Sequence, residues 1–261
     1  MRIIACIKQV PETTEVKIDS ETGTLVRDGV PSEINLLDLH AIEEGIRIKE
    51  KFGGQITVIS MGPSQAEEAI KDALAMGCDE GYLLTDKAFA GADTLATSFT
   101  LARGIKKLGG FDFIICGMKT TDGDTGQVGP WLAHELGIPH VAYINKIAEI
   151  GKNYIVAEKL VEDGVEAIHC PIPCLITVLK GINDPRLPSL KLKIKVRKLE
   201  IKKMGLQDLG GEASNYGLDG SPTRVVEVYS PNPPQKGEII EGIPKKQADV
   251  LFKKLKELKI V

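Results

Sequence analysis

Long apolar runs are missing from this sequence of 261 residues. No stretch approaches the roughly 20 apolar residues that a helix needs to cross a bilayer. The run that follows Met1 is too short for the core of a signal peptide. The chain also has no excess of basic residues, since its formal net charge is −3. We therefore expect a cytoplasmic protein with no membrane insertion and no nucleic-acid partner.

Clusters of chemically active residues are equally scarce. Of the five cysteines, Cys170 and Cys174 form one close pair, but no second Cys/His pair stands at zinc spacing. We therefore predict reduced cysteines and no metal site. The four histidines are scattered, so we assign no catalytic residue. The glycine fingerprints G-x-G-x-x-G and G-x-x-x-x-G-K-[ST] of nucleotide-binding loops are both missing.

Strand and helix patterns alternate along the first 140 residues. Apolar runs with β-branched residues predict buried strands, and segments of helical periodicity between them predict helices. The predicted strands cover residues 2–10, 55–61, 81–84 and 111–116, and the predicted helices cover residues 35–51, 63–76, 93–108 and 125–136. Repeated units of this length predict an α/β fold with a parallel, doubly wound sheet.

The pattern changes after residue 140. Residues 141–170 predict a small antiparallel β segment, joined by turns. Residues 205–242 are rich in glycine, proline and serine and predict an irregular arm. An amphipathic helix follows over residues 245–258, which either docks on a partner or folds back on the sheet. We therefore predict an α/β domain of residues 1–190 and an extended arm of residues 191–261 that ends in a partner-docking helix.

One predicted strand-loop-helix turn, residues 116–127, favours a ligand. Ligands of open α/β sheets bind at the carboxyl ends of strands. Gly117, Gly123 and Gly126 allow backbone N–H groups to come close to a ligand, and the following helix N-terminus favours an anion. The turn therefore predicts a phosphate or diphosphate site. An alternative is that Asp124 simply caps the helix, and Asp122 adds negative charge nearby.

A longer pattern begins at Ala157 and reads Ala-x-Lys-x-x-Glu-Asp-Gly-x-Glu-x-Ile-x-x-x-x-Pro-x-Leu-Ile-Thr. It resembles the pattern of electron-transfer flavoprotein beta subunits at each specified position. The resemblance extends to Lys8, Asn35, residues 73–77, residues 183–186 and the final helix. It implies a Rossmann-like α/β domain that pairs with a larger alpha subunit carrying an electron-carrying FAD. It also implies an adenine nucleotide, AMP or a second FAD, in the crevice of this chain.

The resemblance, carried over by position, and the ends of the predicted strands together imply the expected contacts, which include the glycine loop of residues 117–128. The predicted cofactor-binding residues are Cys6, Lys8, Asn35, Leu36, Leu37, Asp38, Met61, Asp93, Thr94, Thr97, Gly117, Lys119, Thr120, Thr121, Asp122, Gly123, Asp124, Thr125, Gly126, Gln127 and Val128. The resemblance also places Leu190 at a recognition loop, where a leucine docks into acyl-CoA dehydrogenase-type flavoenzymes. The alternative is that Leu190 is an ordinary residue of an edge strand.

Residues 126–128 read Gly-Gln-Val, whereas family members that bind structural AMP usually read Asn-Gln-Thr. Residues 122–130, 10–16 and 91–97 resemble the electron-bifurcating branch. A glycine at position 126 leaves space that a larger dinucleotide would use. The resemblance therefore favours FAD in this subunit, with NADH docking near residues 11–16 as the electron donor.

Under this hypothesis the electrons from NADH divide between two routes. One passes through the alpha-subunit FAD to a dehydrogenase, and the other passes to ferredoxin or flavodoxin, so NADH oxidation belongs to the complex. Two alternatives stay open. One is a beta subunit that holds AMP and supports single-electron transfer with acyl-CoA dehydrogenase-type partners. The other is a stand-alone adenine-nucleotide-binding α/β protein.

Overall fold

The computed structural model describes residues 1–12, 32–226 and 237–261. Two compact units are present, residues 1–226 and residues 227–261. The strands are β1 (Arg2–Cys6), β2 (Gln9–Pro11), β3 (Ser32–Ile34), β4 (Gln55–Met61), β5 (Glu80–Leu84), β6 (Phe113–Gly117), β7 (His140–Ile150), β8 (Tyr154–Val161), β9 (Gly164–Pro171), β10 (Cys174–Val178) and β11 (Lys202–Met204). The helices are α1 (Leu36–Phe52), α2 (Glu67–Met76), α3 (Thr94–Leu108), α4 (Val128–Leu136), α5 (Leu190–Val196), α6 (Leu206–Leu209) and α7 (Pro244–Glu257).

Nine of these strands form one sheet, in the order β11-β5-β4-β1-β6-β10-β7-β8-β9. The strands from β11 to β7 pair in parallel, whereas β8 and β9 extend the sheet in antiparallel pairs. The predicted α/β class, with its doubly wound parallel sheet and small antiparallel segment, is confirmed. From β1 the chain builds outward to β4 and β5, and it then returns to place β6 on the other side of β1. The strand order therefore reverses between β1 and β6.

Two apolar cores cover the faces of the parallel strands. Ile3 and Ala5 of β1 pack in one core with residues of α1 and α2. Ile4 and Cys6, which alternate with them, pack in the other core with residues of α3 and α4. Both faces of β1 are therefore buried from Ile3 to Cys6, which explains why these residues are all apolar instead of alternating with polar ones.

The strand predicted over residues 2–10 is divided in two. β1 ends at Cys6, and β2 leaves the main sheet to form an antiparallel pair with β3. The helix predicted from residue 125 begins at Val128. Pro130 then lies in its first turn, where a helix does not need the backbone donor that proline lacks. The proposed NADH contacts at residues 13–16 lie outside the described residues.

The compact unit that contains the sheet runs to Val226, so the boundary predicted at residue 190 lies inside it. Two contacts extend the unit beyond residue 190. β11 adds a parallel strand to β5, and the ring of Tyr216 is fully buried against Phe89 and Phe99. Helix α7, in the second unit, confirms the predicted terminal helix, and its docking on a partner stays a prediction. In the described ranges no helix is long and apolar enough to cross a membrane.

Candidate functional site

The candidate site lies where the strand order reverses, at the carboxyl ends of β1 and β6. The two strands are direct neighbours, with Cys6 of β1 beside Cys116 of β6. Helix α1 starts at this edge, and its first turn meets the residues that follow both strands. This is the position at which doubly wound sheets bind ligands. The predicted contacts from these strands and from the loop after β6 therefore come together.

Asp38, in the first turn of α1, joins the ends of the two strands. Its Oδ2 atom accepts a hydrogen bond from the Lys8 N–H at 2.8 Å, and its Oδ1 atom accepts one from the Gly117 N–H at 3.1 Å. The side chain is buried. Burial raises the pKa of this carboxyl group to about 7, although hydrogen bonds from Lys8, Asn35 and Gly117 act in the opposite direction. Asp38 therefore holds the segment after β1 against the end of β6.

Asn35 holds the loop that follows β6. It occupies the N-cap position of α1, but its side chain does not cap the helix. The amide Nδ2 donates to the Lys119 carbonyl at 3.0 Å, and Oδ1 accepts from the Thr121 N–H at 3.1 Å. The backbone N–H of Asn35 donates to the Lys8 carbonyl at 2.9 Å. Asn35 thus ties the glycine loop, through its side chain, to the segment that follows β1, through its backbone N–H.

Two lysines of the site form ion pairs with carboxylates of the loop. Lys8 Nζ lies 2.6 Å from Asp122 Oδ2, and Lys119 Nζ lies 2.5 Å from Asp124 Oδ1. These pairs are partly exposed, and such pairs contribute only about 0–1 kcal/mol. A phosphate group would therefore compete with the carboxylates for both lysines at small cost. The pairs also explain how a loop with two aspartates remains compatible with an anionic ligand.

The loop adopts a backbone that depends on unusual conformations at two residues. Asp124 has φ of 52° and Gly126 has φ of 65°, both left-handed. The Asp124 N–H donates to the Thr120 carbonyl at 2.9 Å, and its carboxylate pairs with Lys119 and not with the N-terminus of α4. The suggestion that Asp124 caps the helix is therefore wrong, and Gln127 takes the N-cap position. Gln127 Oε1 also accepts from Thr94 Oγ1 at 2.9 Å, which links the loop to α3.

Helix α4 packs very closely on the sheet at its first turn. A Cβ atom added at Gly129 would lie 2.5 Å from Cγ2 of Thr177 in β10. The first N–H groups of a helix have no partner within the helix, so this packing brings them to the carboxyl edge of the sheet. A cavity of about 300 Å³ opens beside this turn and is lined by Gly126, Gln127, Pro130, Trp131 and His134.

Tyr143 lies at this carboxyl edge of the sheet and was not predicted as a site residue. It lies in β7 at an irregularity in the pairing with β10, and its φ is 62°. The Tyr143 N–H donates to Thr177 Oγ1 at 2.9 Å. Its hydroxyl would lie 2.9 Å from a Cβ atom added at Gly126, so the space beside that glycine is shared with Tyr143. Tyrosine is common in regular strands, so its presence in the sequence does not predict this irregularity.

Asp93 has a structural role. Its carboxylate caps α3 by accepting from the N–H groups of Leu95 and Ala96, and it also accepts from the hydroxyl and N–H of Thr223. Burial alone would raise the pKa of Asp93, but the hydrogen bonds from Ala96, Thr223 and Leu95 hold it below the usual value. Contact of Asp93 and Thr97 with a ligand stays a prediction.

The other predicted contacts differ in exposure. Cys6 and Leu37 are buried, Met61 and Val128 are half-buried, and Leu36 is exposed. Residues 121–125 and Gln127 are exposed, as a loop that meets a ligand or a partner must be.

Leu190, predicted to dock on a partner, begins helix α5 and is 75% exposed. The alternative of an edge-strand position is therefore wrong. Ser189 caps this helix by accepting a hydrogen bond from the Leu192 N–H at 3.2 Å.

Comparison with known proteins identifies the family of this chain. Residues 22–209 match the model of the electron transfer flavoprotein domain. The chain is 48% identical over 262 residues to an electron transfer flavoprotein subunit beta of Thermoanaerobacterium thermosaccharolyticum, covering 100% of each chain. It is 45% identical over 263 residues to the caffeyl-CoA reductase-Etf complex subunit CarD of Acetobacterium woodii, again covering 100% of each. It is 42% identical over 238 residues to protein FixA of Bradyrhizobium diazoefficiens, covering 88% of this chain and 83% of FixA. The chain belongs to the electron transfer flavoprotein family and groups with its beta subunits.

Proposed function

We propose that this chain pairs with an alpha subunit that carries FAD, and that it holds an FAD of its own in the crevice between β1 and β6. The observation that carries this proposal is the joining of both strand ends and the glycine loop by two buried side chains at the start of α1, one at its N-cap and one in its first turn. Asp38 bonds to Lys8 and Gly117, and Asn35 bonds to Lys119 and Thr121. These contacts fix both strand ends and the loop at the switch point of the sheet, the position at which doubly wound folds bind ligands.

The residues of the crevice fit a ligand that contains a diphosphate. Lys8 and Lys119 bring two positive charges to the loop, and their ion pairs with Asp122 and Asp124 are open to competition from phosphate oxygens. The left-handed backbone at Gly126 and the first turn of α4 direct N–H groups to the same edge. FAD bound there would supply the redox chemistry, which is to take a hydride and release electrons singly. The protein would supply position, charge and exclusion of water.

We further propose NADH as the electron donor and two acceptors. The high-potential acceptor is an acyl-CoA dehydrogenase-type flavoenzyme, reached through the FAD of the alpha subunit. The low-potential acceptor is ferredoxin or flavodoxin. The 45% identity to CarD, which is named as a subunit of a complex with caffeyl-CoA reductase, supports an acceptor that works on CoA esters. Leu190, exposed at the start of α5, is the proposed docking residue for this dehydrogenase.

The alternative is a beta subunit with structural AMP, which would occupy the same crevice and use the same lysines. The stand-alone nucleotide-binding protein is disfavoured, because the chain matches family members that are named as subunits along its whole length. The residue at position 126 distinguishes the two remaining hypotheses, which are FAD or structural AMP in this subunit. At position 126 this chain has no side chain, whereas AMP-binding members usually have asparagine there. The space beside Gly126 adjoins the Tyr143 hydroxyl.

The test is the nucleotide content of the co-purified heterodimer. We expect two FAD and no AMP per heterodimer, measured by the absorbance spectrum and by chromatography of the released nucleotides. We also expect anaerobic NADH to reduce flavin in the complex. One FAD with one AMP per heterodimer would overturn the proposal in favour of the AMP-bearing subunit.

A further inference from the structure

Arg186 connects the segment before Leu190 to helix α1. Its guanidinium donates to Glu43, with Nε–Oε2 at 2.8 Å and Nη2–Oε1 at 3.1 Å. It also donates to Glu50, with Nη1–Oε1 at 2.6 Å and Nη2–Oε2 at 3.0 Å. The backbone N–H of Arg186 adds a bond to Glu43 Oε2 at 3.1 Å. Two bidentate pairs on one guanidinium restrict its geometry far more than a single contact does.

This pairing differs from an ordinary surface ion pair because Glu43 is buried, with 3% of its surface exposed. Burial alone would raise the pKa of Glu43, but hydrogen bonds from Arg186 and Arg47 lower it below the usual value. A buried carboxylate that loses a partner is costly. The geometry thus favours the arrangement in which Arg186 stays on α1.

Asn183 provides a second attachment three residues earlier. It is buried, and its Nδ2 atom donates to the His40 carbonyl at 3.0 Å and to Glu44 Oε2 at 2.9 Å. The backbone carbonyl of Asn183 lies 3.0 Å from His40 Nδ1. Both ends of the short stretch 183–186 are therefore attached to the same helix. That helix also carries Asn35 at its N-cap and Asp38 in its first turn, so one element positions the crevice and this stretch.

The residues that follow are held in place and yet expose apolar side chains. The Ser189 N–H donates to the Ala75 carbonyl of α2 at 3.3 Å, and Val196 at the end of α5 is buried. Between these points Leu187 is 90% exposed and Leu190 is 75% exposed. Exposed leucines on an anchored segment are typical of a preformed binding surface, since a partner does not have to order the segment when it binds.

We propose that Arg186 is a positioning residue for partner docking: by pairing with Glu43 and Glu50 it holds residues 187–196 in the conformation that the partner recognises. This inference rests on the docking role of Leu190 proposed above. Arg186 itself need not touch the partner or the flavin. Its loss should therefore weaken association without changing the electron transfer that follows.

The experiment compares Arg186→Gln, Arg186→Lys and Arg47→Gln in the complete heterodimer. Arg47 is the matched control, because its Nε atom donates to Glu43 Oε1 at 3.0 Å but it lies within α1 and not on the docking segment. Two readouts are measured: hydrogen exchange of the amides of residues 190–196 by mass spectrometry, and KM and kcat with an acyl-CoA dehydrogenase as acceptor. Flavin content and melting temperature are recorded for each variant.

For Arg186→Gln we expect faster exchange in residues 190–196 and a KM for the dehydrogenase raised about tenfold, which is the effect of losing roughly 1.4 kcal/mol of preorganisation. kcat and flavin content should stay unchanged. Arg186→Lys should fall between wild type and Arg186→Gln because lysine keeps the charge but not the bidentate geometry. Arg47→Gln should behave as wild type in exchange and KM. If Arg186→Gln fails to fold, Glu50→Gln removes the outer half of the pairing and should show the same changes in smaller size.

The inference would be overturned if residues 190–196 exchanged in Arg186→Gln and Glu50→Gln at the same rate as in the wild type. It would also be overturned if Arg47→Gln changed exchange and KM as much as Arg186→Gln does. Leu190→Ala separates this outcome from failure of the docking proposal. It should raise KM while leaving the exchange of α5 unchanged. An unchanged KM in Leu190→Ala would refute docking through Leu190, whereas a raised KM there with an unchanged KM in Arg186→Gln would refute the positioning role alone.

Discussion

Asp38 Oδ1 accepts a hydrogen bond from the Gly117 N–H at 3.1 Å, and a Cβ atom added at Gly117 would lie 2.4 Å from that same oxygen. The added atom would also lie 2.8 Å from the carbonyl carbon of Leu37 and 2.9 Å from the backbone nitrogen of Asp38. Glycine is required here because α1 approaches the end of β6 so closely. The contact that joins the two strand ends therefore depends on the missing side chain.

Gly117→Ala should consequently damage both the fold and the site. Two of the three close contacts involve backbone atoms of α1, which cannot rotate away as a flexible side chain can. We expect the free energy of unfolding to fall by about 1–3 kcal/mol and the nucleotide content to drop, measured by urea unfolding and by flavin absorbance. The control is Gly123→Ala in the same loop, where the nearest atom to an added Cβ is Thr120 Oγ1 at 3.4 Å. Equal stability of the two variants would contradict this explanation.

Asp38→Asn should change how stability depends on pH. Burial raises the pKa of Asp38 from 3.8 to about 7 in the folded chain. The folded state therefore keeps this proton over a range in which the unfolded chain has lost it. The resulting stabilisation is complete below about pH 4, declines as the pH rises toward 7 and is absent above it.

The quantity to follow is the free energy of unfolding of the wild type minus that of Asp38→Asn. We expect this difference to decrease by roughly 2–4 kcal/mol between pH 4 and pH 8. Taking the difference removes the contribution of other groups, such as Glu44, whose pKa is raised by burial. Urea-unfolding midpoints at several pH values measure it. A difference that stays constant across this range would show that Asp38 does not titrate there.

Lys8→Gln and Asp122→Asn should have opposite effects on binding of an anion. Lys8 supplies a positive charge at the crevice, and Asp122 competes for it at 2.6 Å. We expect Lys8→Gln to weaken AMP binding to the nucleotide-depleted heterodimer by roughly 10- to 150-fold, since charge-assisted hydrogen bonds contribute roughly 1.5–3 kcal/mol. Asp122→Asn should maintain or strengthen it. Isothermal titration calorimetry at two salt concentrations is the measurement, and Lys71→Gln, which loses a similar pair with Glu68 on α2, is the control.

Gly126→Asn should weaken FAD retention while leaving the fold intact. Asparagine tolerates the left-handed backbone at this position better than most residues do. Its Cβ atom, however, would meet the Tyr143 hydroxyl at 2.9 Å and the Met118 carbonyl at 3.4 Å. We expect a lower flavin content after gel filtration and a nearly unchanged melting temperature.

The double variant Gly126→Asn/Tyr143→Phe tests the cause of that loss. It lacks the hydroxyl that the new side chain would meet, so it should recover part of the flavin, and Tyr143→Phe alone should retain flavin. Unchanged flavin content in Gly126→Asn would show that the space beside this residue does not matter for the ligand.

Much of the fold could be predicted because strands and helices are specified by local patterns. The helix predicted over residues 93–108 is α3 with Asp93 as its cap, and the helix predicted over residues 245–258 is α7 to within one residue at each end. The helix predicted over residues 63–76 ends where α2 ends, at Met76, with Gly77 as its C-cap. Periodicity and capping act within a few residues, so they can be read from the sequence directly.

The features that the sequence did not predict arose where distant parts of the chain meet. The predicted strand over residues 2–10 is broken because the Lys8 N–H turns to Asp38 and β2 pairs with β3. Tyr143 reached the site through a bulge beside Thr177, and residues beyond 190 joined the sheet through β11. Each of these outcomes depends on a partner that no local pattern identifies.

The sequence by itself determined the alternation of strands and helices, the glycine loop after β6 and the family pattern that begins at Ala157. Only the tertiary structure decided which of these residues act together. Lys8 and Asp122 are separated by 114 positions in the chain, yet they form an ion pair at 2.6 Å because the sheet order places β6 beside β1. Arg186 likewise meets Glu43 across 143 positions. Such contacts follow from sheet order and helix packing, which are properties of the whole chain.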